Sequence, residues 1–372
     1  MKKSLDCYDN LLDIERIMDV YHIIRLNSKH KDKLFLFELF FSCNIFAIYE
    51  MLKARNYHHH QYNIFLLKDP KYRVIMSEVI SDKIVNHLVS KYVLFPILEA
   101  KLIPMNVATR EGMGTKMGIF YVKKYMNYLK QKSERFYVLK CDISKYFYSI
   151  DHDILYKKLQ GIIHDTDLLN ILKEIIYSTN YSYVNDKIDE AIDEEIRWLR
   201  QRRPHDLEHK IAQLQKIPRY QNHKGLPIGN MTSQILAIYY LNDLDHFIKE
   251  KLRIKHYVRY MDDFILFHED KQYLNYCLEQ IKMKLADIKL SLNNKTQIIE
   301  VHHGFCFLGY KFILKNKKLL VLIRGQTKKR IRKKIRYLNK KHPENEEAVL
   351  ASYRGYLQSA DSGSFCYQNH LK

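Results

Sequence analysis

Tyr260-Met261-Asp262-Asp263-Phe264 lies between two runs of strand composition, His256-Tyr257-Val258-Arg259 before it and Ile265-Leu266-Phe267 after it. Aromatic and β-branched residues on both sides of a two-carboxylate turn predict a β-hairpin. The turn then presents two adjacent carboxylates at one edge of a sheet. Like charges repel, so a fold that holds them there calls for a cation between or beside them. Hard oxygen donors of this kind suit Mg²⁺ or Mn²⁺. Asp also favours turns for reasons unrelated to any metal, and the pentapeptide alone leaves both readings open.

A third carboxylate changes the balance. Phe136-Tyr137-Val138-Leu139 reads as an apolar strand leading into Cys141-Asp142-Ile143, and a strand end is a rigid place to present a side chain. Three carboxylates on adjacent strand ends can hold two divalent ions about 3.5–4 Å apart. One would activate a 3′-hydroxyl and the other would stabilise a leaving pyrophosphate, so that catalysis is mainly positioning and charge neutralisation. Taken alone, Asp142 would serve equally well as the N-cap of the helix that follows.

The bulk composition points the same way. The 372 residues contain 62 Lys and Arg against 42 Asp and Glu, a formal charge of +20, which favours a polyanionic partner. A membrane is not the expected partner: the most apolar stretch, Leu34 to Ile48, carries Lys33 and Glu38 at or inside its edges and is too short to span. Met1-Lys2-Lys3 is followed by Asp6, Asp9 and Asp13, so no signal peptide is expected. Cys7, Cys43, Cys141, Cys277, Cys306 and Cys366 show no C-x-x-C spacing, which argues against a zinc site or a disulfide framework and suits a reducing cytoplasm. The run His58-His59-His60 reads as a polar loop.

Residues 4–56 show helical periodicity and predict two or three helices. Residues 184–222 are charge-dense, but Ile188, Ile192, Ile196 and Leu199 recur at helical spacing, so an exposed helix or helical hairpin is expected, without chemistry of its own. Gly225-Leu226-Pro227-Ile228-Gly229-Asn230 predicts a loop ahead of an apolar helix from about Thr232 to Ile248, and a further helix is expected at about 271–288. Short strands follow near Gln297 and Phe305, and then a basic tail. Strands interleaved with helices indicate an α+β or mixed layer architecture.

Four segments in order resemble the palm motifs of a reverse transcriptase: Leu139 to Phe147, Gly225 to Gln234, Tyr260 to Asp263, and Phe307-Leu308-Gly309-Tyr310. The resemblance covers roughly residues 65–360 and implies an α+β right-hand polymerase. Its parts would be an N-terminal helical extension at 1–61, fingers at 62–135, palm at 136–160, fingers with a charged helical insertion at 161–224, palm again at 225–312, and a basic helical thumb at 313–372. It implies that Asp142, Asp262 and Asp263 are catalytic and hold two Mg²⁺ ions, with Mn²⁺ as a substitute and the Ile143 carbonyl as an additional ligand. Phe147 would underlie the sugar of an incoming dNTP. Lys68 and Arg73, in Lys68-Asp69-Pro70-Lys71-Tyr72-Arg73, would clamp the triphosphate, Arg73 more strongly because of its planar fork. Arg110, Ile228 and Gln234 would lie near nucleotide or template. Lys295 would assist pyrophosphate departure or be an exposed turn lysine. Ser81-Asp82-Lys83 departs from the family's Asp-Arg.

Ile228 occupies a position where many reverse transcriptases carry Gln. An apolar residue there resembles the enzymes of diversity-generating retroelements, which copy a template RNA with frequent errors at adenines and work with a small basic barrel-forming accessory protein. A bacterial antiviral reverse transcriptase, with protein-primed or untemplated synthesis, is the alternative, and a catalytically silent RNA-binding protein a third reading. No endonuclease domain is expected after Tyr356. In the tail, Lys328, Lys329, Arg330, Arg332, Lys333, Lys334 and Arg336 alternate with Ile331, Ile335 and Leu338 at helical spacing. A helix with one apolar stripe and a cationic face suits the backbone of an RNA–DNA duplex.

Overall fold

A computed structural model describes residues 7–28, 31–69, 71–341, 346–369 and 371. Met1-Lys2-Lys3 and Asp6, on which the signal-peptide reading partly rests, and Pro70 of the fingers segment lie outside these residues. The chain divides into two compact units, one of Met1–Leu102, Ser144–Asn242 and Asp287–Leu290, the other of Ile103–Ile143, Asp243–Ala286 and Ser291–Lys372.

In the first unit, the helices Ile14–Asn27, Lys31–Glu38 and Phe41–Lys53 follow a short 3₁₀ turn. Asp13 caps the first of them, accepting from the N–H groups of Glu15 and Arg16 at 2.9 and 3.2 Å. The strands β1 (Asn63–Leu67) and β2 (Arg73–Ser77) form an antiparallel hairpin. The charge-dense segment is indeed two helices, Tyr183–Arg202 and Leu207–Gln215, but it is more than a solvated insertion. Val184, Ile188, Ile192 and Leu199 share one face and are buried in a cluster with Tyr62, Val74 and Met76 of the hairpin region. The expected helix from Thr232 to Ile248 is instead Met231–Tyr240 and Asn242–His246, followed by a π turn at Phe247–Lys251.

The histidine run also departs from expectation. His59 is buried, its Nδ1 3.6 Å from Asp82 and its Nε2 3.8 Å from Glu78. Asp82 further accepts from the N–H of His60 at 2.9 Å and the hydroxyl of Tyr57 at 3.3 Å. The run therefore anchors the entry to β1, with His59 buried near two carboxylates rather than left in solvent.

The second unit is built on a four-stranded antiparallel sheet in the order β4-β5-β3-β6, where β3 is Tyr137–Asp142, β4 His256–Tyr260, β5 Asp263–His268 and β6 Gln297–Glu300. Ile119, Val122, Met126 and Leu129 of the Thr115–Lys132 helix recur every three or four residues and pack with Val138, Val258, Ile265 and Phe267 of the sheet. A second sheet, β7 (Phe305–Phe307), β8 (Tyr310–Lys315) and β9 (Lys318–Ile323), adds Phe305, Phe307 and Phe312 to that core. Burying each such side chain contributes about 1.5–3 kcal/mol. The tail expected as helical from 313 thus begins as strand; its helices are Gly325–Lys341, Glu346–Leu357 and Gly363–Gln368.

Phe307-Leu308-Gly309-Tyr310 is a two-residue hairpin turn with φ of +50° at Leu308 and +86° at Gly309. Two positive φ values match the right-handed twist of the flanking strands. Tyr356 lies over this turn, its hydroxyl donating to the Gly309 carbonyl at 3.0 Å, while Tyr310 donates to the Tyr356 carbonyl at 2.7 Å. A Cβ on Gly309 would lie 3.2 Å from the Tyr356 oxygen. Gly309→Ala combines a left-handed alanine with this crowding and lowers stability by about 1–3 kcal/mol, read as a reduced urea midpoint with an unchanged slope.

Candidate active site

The carboxylates are assembled by strand register. Asp142 at the end of β3 pairs directly with Asp263 at the start of β5, so their side chains leave the same face of the sheet. Asp262 lies in the two-residue turn between Tyr260 and Asp263. Like charges directly opposite each other in a sheet are destabilising, and the site shows the consequences. Burial, followed by the charge of Asp142, raises the Asp262 pKa to about 6. Burial raises Asp263 further, to about 7; Lys140 pulls it back while Asp142 and Asp262 push it up.

Two residues beside the sheet restrain these groups. The Lys140 ammonium is 3.7 Å from Asp263 and donates to the Cys306 carbonyl at 2.9 Å. Asn293 donates from its side-chain amide to Asp142, and its backbone N–H donates to the Asp142 carbonyl at 2.9 Å. Neither was singled out in the sequence. Lys140 carried a usable signal, because period-two alternation puts it on the same face as Asp142. Ile143 is buried and forms an antiparallel bridge with Leu292.

A buried ion pair supports the turn from the other face. Arg259 and Asp245 are both fully buried and joined by two hydrogen bonds of 2.7 and 2.5 Å, with the Tyr257 hydroxyl donating to Asp245 at 2.6 Å. The remaining arm of Arg259 donates to the Met261 carbonyl at 2.9 Å. Met261 has φ of +55°, a strained setting for a residue with a Cβ, and this contact pins it. The Arg259 backbone is held as well, donating to Met105 and accepting from Val107, each at 3.0 Å.

A hard divalent cation fits this donor set. Oδ1 of Asp263 is buried without a hydrogen-bond partner among the described residues, and a cation would offset the burial, and after it the like-charge repulsion, that raise both pKa values. As the side chains stand, no three carboxylate, imidazole or thiolate groups among the described residues converge on one point. Asp142 is turned towards Asn293 and Asp263 towards Lys140.

The other expected residues have varied settings. In the first unit, the Phe147 carbonyl accepts from the Leu226 N–H at 2.7 Å, and the Ile228 carbonyl accepts from the Met76 N–H at 2.9 Å. Gly229 permits that docking: its φ is +143°, and a Cβ there would collide with the Met76 carbonyl. Gln234 is half-buried on the Met231–Tyr240 helix, and Arg73 is exposed at the start of β2. Lys68 is engaged by the charged insertion: it pairs with Glu195 and lies 4.6 Å from the Trp198 ring centre. Tyr72 donates to the same carboxylate at 3.1 Å.

In the second unit, Arg110 donates to the carbonyls of Ile103 and Asn106 at 2.9 and 3.0 Å, bracing its own loop. Lys295 is exposed on a turn closed by its N–H to Asn293. On the Gly325–Lys341 helix, Lys329, Arg330, Arg332, Lys333 and Arg336 are exposed and Ile331 and Leu338 buried. Lys328 and Arg332 lie over the Phe365 ring at 5.6 and 5.2 Å.

An antiparallel sheet with carboxylates at a strand end and in the adjoining turn, followed by a basic helical segment, defines the palm and thumb of an α+β right-hand polymerase. Residues 66–312 match the family described as reverse transcriptase (RNA-dependent DNA polymerase), and the chain belongs to that family. No curated protein matches it by sequence. Similar solved structures include apo telomerase from Candida tropicalis truncated from its C-terminal domain, with 14% identity, TM-score 0.46, and coverage of 72% of this chain and 58% of that one. Telomerase from Candida albicans in complex with a fragment of telomeric RNA shows 15% identity and TM-score 0.43 over 73% of this chain and 46% of that one. The chain thus spans about half the length of these telomerases.

Two predictions follow from the geometry. Raised carboxylate pKa values mean that the folded chain keeps protons the unfolded chain has released, from the ordinary value of 3.8 up to about 7. Without metal, stability therefore falls as pH rises through that window. Asp263→Asn flattens this dependence, so in chelator the variant matches the native chain near about pH 4 and exceeds it near about pH 8, read by denaturant titration. Asp245→Ala strands Arg259 as a buried unpaired charge and costs about 3–5 kcal/mol in the same assay.

Proposed function

We propose that this reverse transcriptase copies a retroelement template RNA into cDNA with frequent errors at adenines. The carboxylates at the β3 end and β4–β5 turn are the observation that supports catalysis. Asp142, Asp262 and Asp263, with the Ile143 carbonyl, would hold two Mg²⁺ ions, or Mn²⁺ in their place; bound there, such ions neutralise charge on the attacking and leaving oxygens. The chain's own residues bind and select. Arg73 and Lys68 clamp the triphosphate, Lys68 on leaving Glu195. Phe147 sets the ring that excludes a 2′-hydroxyl. Arg110 and Gln234 border the nucleotide and template, and Lys295 assists pyrophosphate departure. The cationic face of the Gly325–Lys341 helix, with Lys328, Lys329, Arg330, Arg332, Lys333 and Arg336, follows the RNA–DNA duplex. A small basic accessory protein completes the assembly.

Ile228 supports the error-prone reading. Its carbonyl fixes the loop on β2, but its side chain offers no amide to the nascent base pair. Fewer hydrogen bonds at that position weaken discrimination.

The test is primer extension by the full chain with RNA template, DNA primer, dNTPs and Mg²⁺, followed by product sequencing. The expected product carries errors concentrated opposite adenines, and Asp262→Ala/Asp263→Ala lowers its yield about a thousandfold or more. Ile228→Gln reduces those errors about tenfold, which corresponds to about 1.4 kcal/mol of added discrimination. Faithful or untemplated cDNA would support the antiviral reading instead, and RNA binding without synthesis the silent one.

A further inference from the structure

Glu195 stands on the buried face of its helix, an unusual place for an acid. Along Tyr183–Arg202 the buried residues are Val184, Ile188, Ile192, Glu195 and Leu199, three or four positions apart. That spacing traces one stripe, and its apolar members pack with Val74 and Met76 of the β1–β2 hairpin. The other acids of the helix, Asp186, Asp189, Glu190, Asp193 and Glu194, are all exposed. A carboxylate that is only 6% exposed in an apolar stripe is costly unless it is paired.

Its partners come from the two ends of one loop. Lys68 to Tyr72 close the hairpin beyond the opposed pair Leu67 and Arg73. The Lys68 ammonium pairs with one oxygen of Glu195, and the Tyr72 hydroxyl donates to the other at 3.1 Å. A single carboxylate thus ties both ends of the loop to the insertion. Trp198, one helical turn further on, adds a second hold. The Lys68 ammonium lies 4.6 Å from its ring centre, and the Arg202 guanidinium 4.7 Å.

The ends of this ion pair differ in freedom. Glu195 is nearly buried on a helix, whereas the Lys68 side chain is 53% exposed. Lysine is a point charge on a flexible stem, so it can swing out and the carboxylate cannot follow. Its departure leaves the Glu195 charge with the Tyr72 hydroxyl. That cost subtracts from the affinity of whatever anion takes the lysine.

We infer that the insertion is a latch on the β1–β2 loop, with Glu195 the positioning residue that holds Lys68 against Trp198 until a nucleoside triphosphate draws the lysine away. The inference rests on the reading that Lys68 clamps the triphosphate. It gives the charged insertion a part in substrate binding: the latch raises the dNTP concentration needed to fill the site.

Trp198 is the chain's single tryptophan, so its emission reports the latch directly. The full chain is loaded with an RNA template and a DNA primer ending in a dideoxynucleotide, which prevents incorporation, and titrated with the complementary dNTP and Mg²⁺. Calorimetry gives the Kd, and tryptophan emission follows Lys68. In the native chain the emission is expected to change in step with binding. Glu195→Gln keeps an acceptor for Tyr72 but removes the charge, and lowers the Kd about fivefold; misfolding would not produce such a gain. Lys68→Gln raises the Kd and abolishes the emission change. Adding Glu195→Gln to Lys68→Gln shifts the Kd no further, because Glu195 acts through Lys68. A Kd that Glu195→Gln leaves unchanged or raises, while Lys68→Gln raises it, would overturn the latch and leave the clamp standing. Binding with no change in Trp198 emission would also overturn the latch, since Lys68 would then have stayed in place. No effect of Lys68→Gln, or no calorimetric binding by the native chain, would overturn clamp and latch together.

Discussion

Two aspartates face each other across an antiparallel pair, Asp142 on β3 and Asp263 on β5, on one face of a buried sheet. A sheet left to its own energetics would not keep that pair. Much of the second unit can be understood as the structure that tolerates it. Lys140 balances Asp263 from the same face, Asn293 holds Asp142 from the side, and Arg259 works from beneath. Arg259 differs from the other two because it is a fully buried cation, matched by Asp245 with a bidentate geometry, while the Tyr257 hydroxyl donates to the same carboxylate. Replacing such a pair with apolar residues is often neutral for stability. Its distinctive contribution here is positional, since Arg259 also donates from Nη1 to the carbonyl of the residue immediately before Asp262.

The first unit uses the same kind of support for a loop. The Gly225–Asn230 segment is tied to Phe147 and Ile150 on one side and to Met76 on the other, by backbone hydrogen bonds of 2.7 to 2.9 Å. Asn230 donates to the Tyr62 hydroxyl at 2.9 Å, and Tyr62 meets Ser178 at 2.9 Å, so a buried polar chain continues from the loop into the helices. The chain of bonds orients the Asn230 amide, whose buried Oδ1 has no hydrogen-bond partner among the described residues. The charged insertion joins the same unit through its apolar face and reaches Lys68 through Glu195.

The sequence made the hairpin, the strand before Asp142 and the helical insertion legible because each has a strong period and a clear turn. It does not reveal β9, whose Leu319-Leu320-Val321-Leu322 run lies among lysines and reads as part of a basic tail. His59 was missed for a related reason: three consecutive histidines look polar, and only the tertiary placement of Glu78 and Asp82 shows that the middle one is buried. Asp245 and Arg259 are fourteen residues apart and meet through the fold, so no local pattern announces them. Lys140 is the instructive case, since strand alternation alone would have put it beside the carboxylates.

Three hairpin turns in the second unit are tight two-residue links, and they favour residues other than glycine at positive φ: Met261, Leu308, and the Asn316-Lys317 pair. Each such residue carries backbone strain of order 1–3 kcal/mol that its surroundings must over-determine. At Met261 the determinant is Arg259. At Leu308 it is packing, for its side chain fills the space left by the missing Cβ of Gly118. Neither applies to Asn316-Lys317, which is exposed and flanked by opposed lysines. Strain with an internal partner stabilises the position of a group within the fold. At Asn316-Lys317 the turn type itself is the determinant, since positive φ at both central residues matches the twist of β8 and β9 and Asn adopts it readily.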